Sequence, residues 1–263
     1  MLGINWYHEL TKKYVTIFGT LFDDIVITRF LSDGTPTQVL KVPITFAPKD
    51  KVLTRIIQDA DLDRKSAIVL PMMAFEYTYL PYDSNRKLNT VGKIVRKSDD
   101  PNTLKFNYNP VPYNYAFSLY VYVKNMEDGT KIIEQILPMF KPDLTVSAHL
   151  IPEMDIIMDI PITLENITIQ DSYDGSFTDR RAIIYTLEFT LKGYLYGPVR
   201  EKPIIKFVKS HFYASTNSNT AVETITVKPG LDANGDPTSI ESDSIDVNEI
   251  WADDDYGFIT KYE

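Results

Sequence analysis

Residues 114–142 constrain the fold of this 263-residue chain most, because the hydrophobic period changes within them. Alternate positions of the first part share one face, as in a β-strand: Tyr115, Phe117, Leu119, Val121 and Val123. The second part carries apolar residues at helical spacing: Ile132, Ile133, Ile136, Leu137 and Phe140. We predict a strand that leads through a short turn into a helix laid across a sheet face. Asp128 or Thr130 is expected to cap the helix, which ends at Pro138 or Pro142.

The flanking sequence predicts further strands and helices of the same kind. An amphipathic helix is expected over residues 7–21, followed by a hairpin whose turn contains Asp33 and Gly34. A second short helix is expected near residues 47–60, and long alternating runs predict strands near 67–82, 159–169 and 180–197. These patterns predict an α+β fold, with a single mixed or antiparallel β-sheet and helices packed on it.

Two segments have a different composition from this body. Residues 83–112 are polar and basic, and we interpret them as a long excursion that contains a weak hairpin. Beyond Ser215 the chain holds eleven acidic residues and two basic ones, Lys228 and Lys261. We therefore predict a body over residues 1–214 and an acidic C-terminal tail over residues 215–263, extended or partly disordered.

Composition narrows the possible functions. The net charge is −9, and the acidic tail accounts for all of it, so the rest of the chain is electrically balanced. A nucleic-acid-binding protein would instead present a basic face. With no cysteine, disulfides and zinc–thiolate sites are excluded. The start of the chain has no basic region followed by an apolar one, so we expect no signal peptide, and we expect no membrane association.

The search for catalytic or ligand-binding motifs predicts no catalytic, cofactor or metal site. His8, His149 and His211 lie far apart in sequence, with none of the spacings of metal ligands. Residues 232–237 resemble a calcium loop only faintly, and we interpret them as a plain turn. Arg180 and Arg181 form the densest basic pair, either a solvated strand end or an interface clamp. Seventeen tyrosines favour an interaction protein, because tyrosine is enriched at interfaces.

Three segments, in this order and spacing, point to one family. They read YVTIFGTLFDDIVITRF with VPITFAPKDK; YNPVPY followed by EDGTKIIEQILPMFKP; and DSYDGSFTDRRAIIYTLEFTLKGYLYGPV. Together they resemble the tail sheath stabiliser and completion proteins of T-even-type contractile-tailed phages. The resemblance spans about residues 14–199, and the acidic tail matches only in character.

The resemblance implies a structural virion protein without enzymatic activity or cofactor. It implies a tail terminator in which six copies close a ring on the end of the tail tube and sheath. The implied partners are the sheath protein, the tube or tube-terminator protein and the neck proteins, with duplex DNA passing through the channel unbound. The implied location is the tail–neck junction of the virion, reached after assembly in the host cytoplasm.

Within the acidic tail, one small apolar island predicts a docking element. Trp251, Tyr256 and Phe258 would anchor it on a neighbouring subunit, while Asp253, Asp254 and Asp255 would make salt-sensitive contacts. A disordered, solubilising tail is the alternative. For the whole protein, the alternatives are another neck or baseplate component of a contractile tail, or a small hydrolase that uses carboxylates.

Overall fold

A computed structural model describes residues 5–31, 35–57, 70–172, 182–217 and 219–263. Three helices are present in these residues: α1 (Leu10–Leu21), α2 (Lys49–Ile57) and α3 (Met126–Ile136). Fourteen strands are present in the same residues: β1 (Val26–Phe30), β2 (Pro36–Lys41), β3 (Ile44–Phe46), β4 (Met72–Tyr79), β5 (Lys93–Lys97), β6 (Thr103–Tyr108), β7 (Val111–Val123), β8 (Asp143–Ile151), β9 (Ile156–Ser172), β10 (Ala182–Leu195), β11 (Arg200–Pro203), β12 (Val208–Phe212), β13 (Glu223–Gly230) and β14 (Gly257–Tyr262). The predicted turn residues Asp33 and Gly34 lie outside the described residues.

The chain divides into two compact units. The large unit comprises Tyr7–Leu88 and Pro110–Leu195, and the small unit comprises Asn89–Asn109 and Tyr196–Glu263.

The large unit is built on a six-stranded mixed sheet in the order β3-β4-β7-β10-β9-β8. Only β3 and β4 run parallel among these pairs; the other neighbours are antiparallel. The two central strands, β7 and β10, pair without a break, so that Phe117 lies opposite Phe189 and Val121 opposite Tyr185. The strand predicted in the first part of residues 114–142 is confirmed as part of β7. The predicted alternation of its side chains between two faces is confirmed as well.

Helix α1 covers one face of this sheet. It buries Leu10, Tyr14 and Phe18, and the Phe18 ring stacks on Phe117 with 4.3 Å between ring centroids. The Tyr14 hydroxyl donates a hydrogen bond to the backbone carbonyl of Tyr194 at 2.7 Å, so even its polar tip is satisfied. The helix begins at Leu10, three residues later than predicted.

Helix α3 lies on the same face of the sheet as α1. The prediction from residues 114–142 of a helix laid across a sheet face is confirmed. Ile132 and Ile136 are buried, whereas Leu137, which was predicted to share their stripe, is exposed. The prediction that Asp128 or Thr130 caps the helix is wrong. The cap is Asn125, and Asp128 lies buried in the first turn, where it pairs with Arg29 of β1 at 2.6 Å.

The opposite face of the large sheet is covered by α2. Val52 of this helix belongs to a buried cluster with Ala74, Tyr122 and Ile184 from three neighbouring strands. Helices therefore cover parts of both faces, and the prediction of helices packed on a sheet is confirmed.

The prediction of a single sheet is wrong. Besides the six-stranded sheet, β1 and β2 form a two-stranded sheet, and the small unit contains two three-stranded sheets, β11-β6-β5 and β12-β13-β14. The polar segment of residues 83–112 thus forms two strands of its own, β5 and β6. They pair with each other, and β6 also pairs with β11. The weak hairpin predicted within residues 83–112 is confirmed as β5–β6.

The extended acidic tail is not confirmed. Strands β13 and β14 lie within it, and β13 pairs with β12 on one side and β14 on the other. The predicted boundary at residue 214 falls between β12 and β13.

Candidate interaction surfaces

Three aromatic residues predicted as interface anchors converge on one surface of the small unit. Trp251, Tyr256 and Phe258 line an apolar cavity of about 140 Å³. The rings of Tyr256 and Phe258 meet edge to face at 5.8 Å, and Phe258 keeps 64% of its area exposed. The cavity is smaller than the roughly 300–1,000 Å³ of a typical ligand pocket, so it suits a protruding side chain better than a free ligand.

The apolar surface continues beyond these anchors onto the segment before β12. Ile205, Phe207 and Val208 line the same cavity and are 85%, 62% and 54% exposed. Sequence analysis missed these residues, although the run IIKFV carries their signal. An exposed apolar patch of this kind is typical of a protein-interaction site.

The three adjacent carboxylates have different environments. Asp254 accepts a hydrogen bond from the Trp251 backbone N–H at 2.7 Å and so closes the turn between them. Asp253 lies 3.9 Å from the ammonium of Lys97, and Asp255 is exposed. Two of the three carboxylates therefore already make contacts inside the small unit, and Asp253 makes the weaker one.

The acidic side chains are concentrated in one connection between strands. We call residues 231–256, which join β13 to β14, the acidic connection. It contains nine carboxylates and no lysine or arginine: Asp232, Asp236, Glu241, Asp243, Asp246, Glu249, Asp253, Asp254 and Asp255.

The acidic connection is folded against the small unit at both ends. Leu231 and Ile250 are buried. The Asp232 carboxylate accepts backbone N–H groups of Asp236 and Asn234 at 2.8 Å each. These bonds lower the pKa of Asp232, the one from Asp236 most strongly. The interpretation of residues 232–237 as a plain turn is confirmed.

Lys206 holds the middle of the acidic connection. Its ammonium donates to the backbone carbonyls of Val247, Ile250 and Asn248 at 2.8, 2.9 and 3.3 Å. Sequence analysis missed this lysine, because backbone acceptors leave no side-chain signature in a sequence. The charge–carbonyl bonds fix the path of the chain up to Trp251.

The sheet β11-β6-β5 presents a surface of the opposite charge. One of its faces carries four cations and two aromatic rings, interspersed with Val95 and Leu104. We call the charged and aromatic set the basic face: Lys93, Lys97, Arg200, Lys202, Phe106 and Tyr108. The strand register places them together, since Phe106 pairs with Arg200, and Tyr108 with Lys93.

Cation–π contacts organise the basic face. The Lys93 ammonium lies 5.0 Å from the Phe106 centroid and 5.2 Å from that of Tyr108, and Lys202 lies 5.5 Å from Phe106. Within the described ranges, Lys93, Arg200 and Lys202 have no carboxylate at ion-pair distance. The lysine stems cover Phe106 while their charges remain available to a partner.

Several other charged or polar groups of the described residues are paired within the chain. A cleft of about 720 Å³ in the small unit contains Lys206, Lys228 and Glu241, but Lys228 pairs with Glu241 at 2.6 Å and lowers its pKa. In the large unit, burial raises the pKa of Tyr120 to about 12. Its hydroxyl donates to Glu76 at 2.9 Å.

The described residues show neither a metal-binding cluster nor a membrane-spanning helix. Among the residues with assigned positions, no group of three or more His, Asp or Glu side chains is placed to hold a metal ion. None of the three helices in these residues is long and apolar enough to cross a bilayer. Arg180 and Arg181, predicted as an interface clamp, lie outside the described residues.

Exposed aromatic side chains such as these are typical of protein-interaction surfaces. The family model described as T4-like virus Myoviridae tail sheath stabiliser matches residues 5–256, and the chain belongs to this family. It is similar to tail completion protein gp15 of Enterobacteria phage T4, with 26% identity over 219 residues, 80% of this chain and 79% of that protein.

The predicted resemblance is thus confirmed, and the match extends further than the three motifs. The family model covers the whole of the acidic connection, which the motifs did not reach. The protein is a structural component of a contractile phage tail, associated with the tail sheath and with tail completion.

Proposed function

We propose that this protein is a tail terminator, which caps the tail tube and the contractile sheath as a closed ring of six copies and forms the joint to the neck. The observation that carries the proposal is family membership over residues 5–256, together with the similarity to a tail completion protein. A cap of this kind ends polymerisation and stabilises the extended sheath. It functions without enzymatic activity or a cofactor, and it is located at the tail–neck junction after assembly in the host cytoplasm.

A ring of identical copies needs two different, complementary patches on each subunit. The exposed apolar surface around Trp251, Tyr256 and Phe258 supplies one candidate, and the aromatic anchors make it suited to a protein partner. Arg180 and Arg181 are proposed as a second contact. The sheath, the tube or tube-terminator and the neck proteins are the remaining partners.

Duplex DNA is proposed to pass through the ring without specific binding. The chain carries 27 basic and 36 acidic side chains, so it lacks the excess of cations that would bind phosphates and release counterions. A neutral or acidic channel wall would let the DNA slide.

The test is to mix the purified protein with assembled tail tubes and sheaths and to image the ends by electron microscopy. Closed six-copy rings at one end of each tube are expected, with weak association in dilute solution without tubes. Open-ended filaments, or a monomer that ignores tube ends, would refute the terminator. Labelled rings found at the baseplate end would instead indicate a baseplate component.

A further inference from the structure

The basic face and the acidic connection carry opposite charges on the same small unit. Three cations of the basic face, Lys93, Arg200 and Lys202, have no carboxylate partner among the described residues. The acidic connection has nine carboxylates and no cation of its own. Each surface therefore has charge that the chain itself leaves uncompensated.

We propose that the basic face of one copy docks the acidic connection of the neighbouring copy, forming the repeated contact of the ring. This inference rests on the proposed ring and names its two patches. Because the patches differ, the contact is heterologous, and it can repeat from copy to copy until the ring closes.

The contact of Asp253 with Lys97 in the same chain does not use up this complementarity. At 3.9 Å it lies at the outer limit of an ion pair, and both side chains are about half exposed or more. This contact involves only Lys97, the last residue of β5. Exposed carboxylates farther along the connection, such as Glu249 and Asp255, remain available to another copy.

Nucleic acid is the competing occupant, because cations interleaved with aromatic rings also suit a single strand. The small unit disfavours it electrostatically. Its ranges Asn89–Asn109 and Tyr196–Glu263 hold ten basic and fourteen acidic side chains, so the unit repels a polyanion at long range. A second copy carries the same net charge, but its acidic connection is a local cluster of carboxylates that can pair with the basic face at short range.

Charge reversal tests the contact. Variant one combines Lys93→Glu with Lys202→Glu, and variant two combines Glu249→Lys with Asp255→Lys. Each alone brings like charges together at every contact, so capping of tube ends is expected to require about tenfold more protein or worse. A control variant combines Lys51→Glu with Lys141→Glu, at two exposed lysines of the large unit. It changes the net charge of the protein as much as variant one does, and it should cap tube ends normally.

Mixing distinguishes a specific contact from a general effect of charge. In an equal mixture, the reversed face of variant one meets the reversed connection of variant two, and the two unchanged patches meet as in the native protein. Alternating rings are therefore expected to recover wild-type capping, which an even number of subunits permits. Raising sodium chloride from about 50 to about 500 mM should weaken wild-type capping and relieve the repulsion within each variant.

Each remaining outcome counts against the inference. Both variants capping like wild type, or no recovery on mixing although circular dichroism shows native folding, would refute this contact and leave the terminator intact. Binding of a single-stranded oligonucleotide by wild type but not by variant one, with capping unchanged, would assign the face to nucleic acid. Failure of the wild type itself to form rings would refute the proposed function instead.

Discussion

A cluster of aromatic rings in the large unit is buried, whereas two of the aromatic rings around the apolar cavity of the small unit are largely exposed. In the large unit Phe18, Phe117 and Phe189 are 0–1% exposed, and their rings pack between a helix and a sheet. In the small unit Phe207 and Phe258 are mostly exposed, and all five residues of β12 are exposed at a sheet edge. A free strand edge with apolar side chains is a liability unless another chain covers it. The comparison suggests that the large unit supplies stability and the small unit supplies contacts.

The largest effect is expected from placing a charge in the core of the large unit. Ile136→Asp buries a carboxylate under α3, where the native side chain is 2% exposed, and should prevent folding. Circular dichroism and thermal unfolding measure this. Glu134→Ala on the exposed side of the same helix should fold normally. Near-native stability of Ile136→Asp would show that α3 is misplaced.

Truncating one aromatic in each unit gives a direct comparison. Phe18→Ala should lower the free energy of unfolding by about 3–5 kcal/mol, because it leaves a cavity among packed rings. Phe258→Ala should change it by less than about 0.5 kcal/mol yet reduce tube capping. Urea unfolding gives the first quantity and electron microscopy the second. Equal losses of stability would remove the distinction between the units.

A smaller, local effect is expected from Lys206→Met. The variant keeps the apolar stem but loses the ammonium that binds three carbonyls, so the acidic connection should loosen by about 1–3 kcal/mol. In a Trp6→Phe background Trp251 is the only tryptophan. Its fluorescence emission should shift to longer wavelength. The exposed Lys209→Met serves as the matched control. An unchanged spectrum would mean that other contacts hold this segment.

The smallest effect concerns alkaline stability of the large unit. Burial, and after it the hydrogen bond to Glu76, raise the pKa of Tyr120 to about 12. The unfolded state therefore loses its proton first, near the ordinary value of 10. The stabilising contribution of Tyr120 is complete below that pH and disappears as the pH rises toward 12.

Tyr120→Phe should thus cost about 1 kcal/mol at neutral pH and flatten the loss of stability above pH 10, apart from the share of Tyr122. Urea unfolding across this pH range measures both. The same steep alkaline loss in the variant would assign it to other groups.

The large unit was predictable because its sequence pattern and its packing agree. The alternation around Phe117 and the helical spacing of Ile132 and Ile136 correspond to buried faces, and burial is what makes such patterns regular. The small unit was predicted poorly, since its strands are short and exposed on one or both sides. Lys206 and the basic face depend on partners distant in sequence, which periodicity does not reveal. The family resemblance, carried by three motifs, indicated the tail function, which local sequence patterns did not reveal.

The interleaved order of the two units has a kinetic consequence. Strand β6 lies between β5, which precedes it in the same hairpin, and β11, which follows the entire 110–195 segment. During synthesis the hairpin must therefore remain without its third strand until the large unit has emerged from the ribosome. Such a long-range pairing closes slowly, because the chain loses loop entropy before the ladder forms. The surface that displays Lys93 and Lys202 can then be completed only after the 110–195 segment has been synthesised, which would delay the proposed contact between copies until that stage.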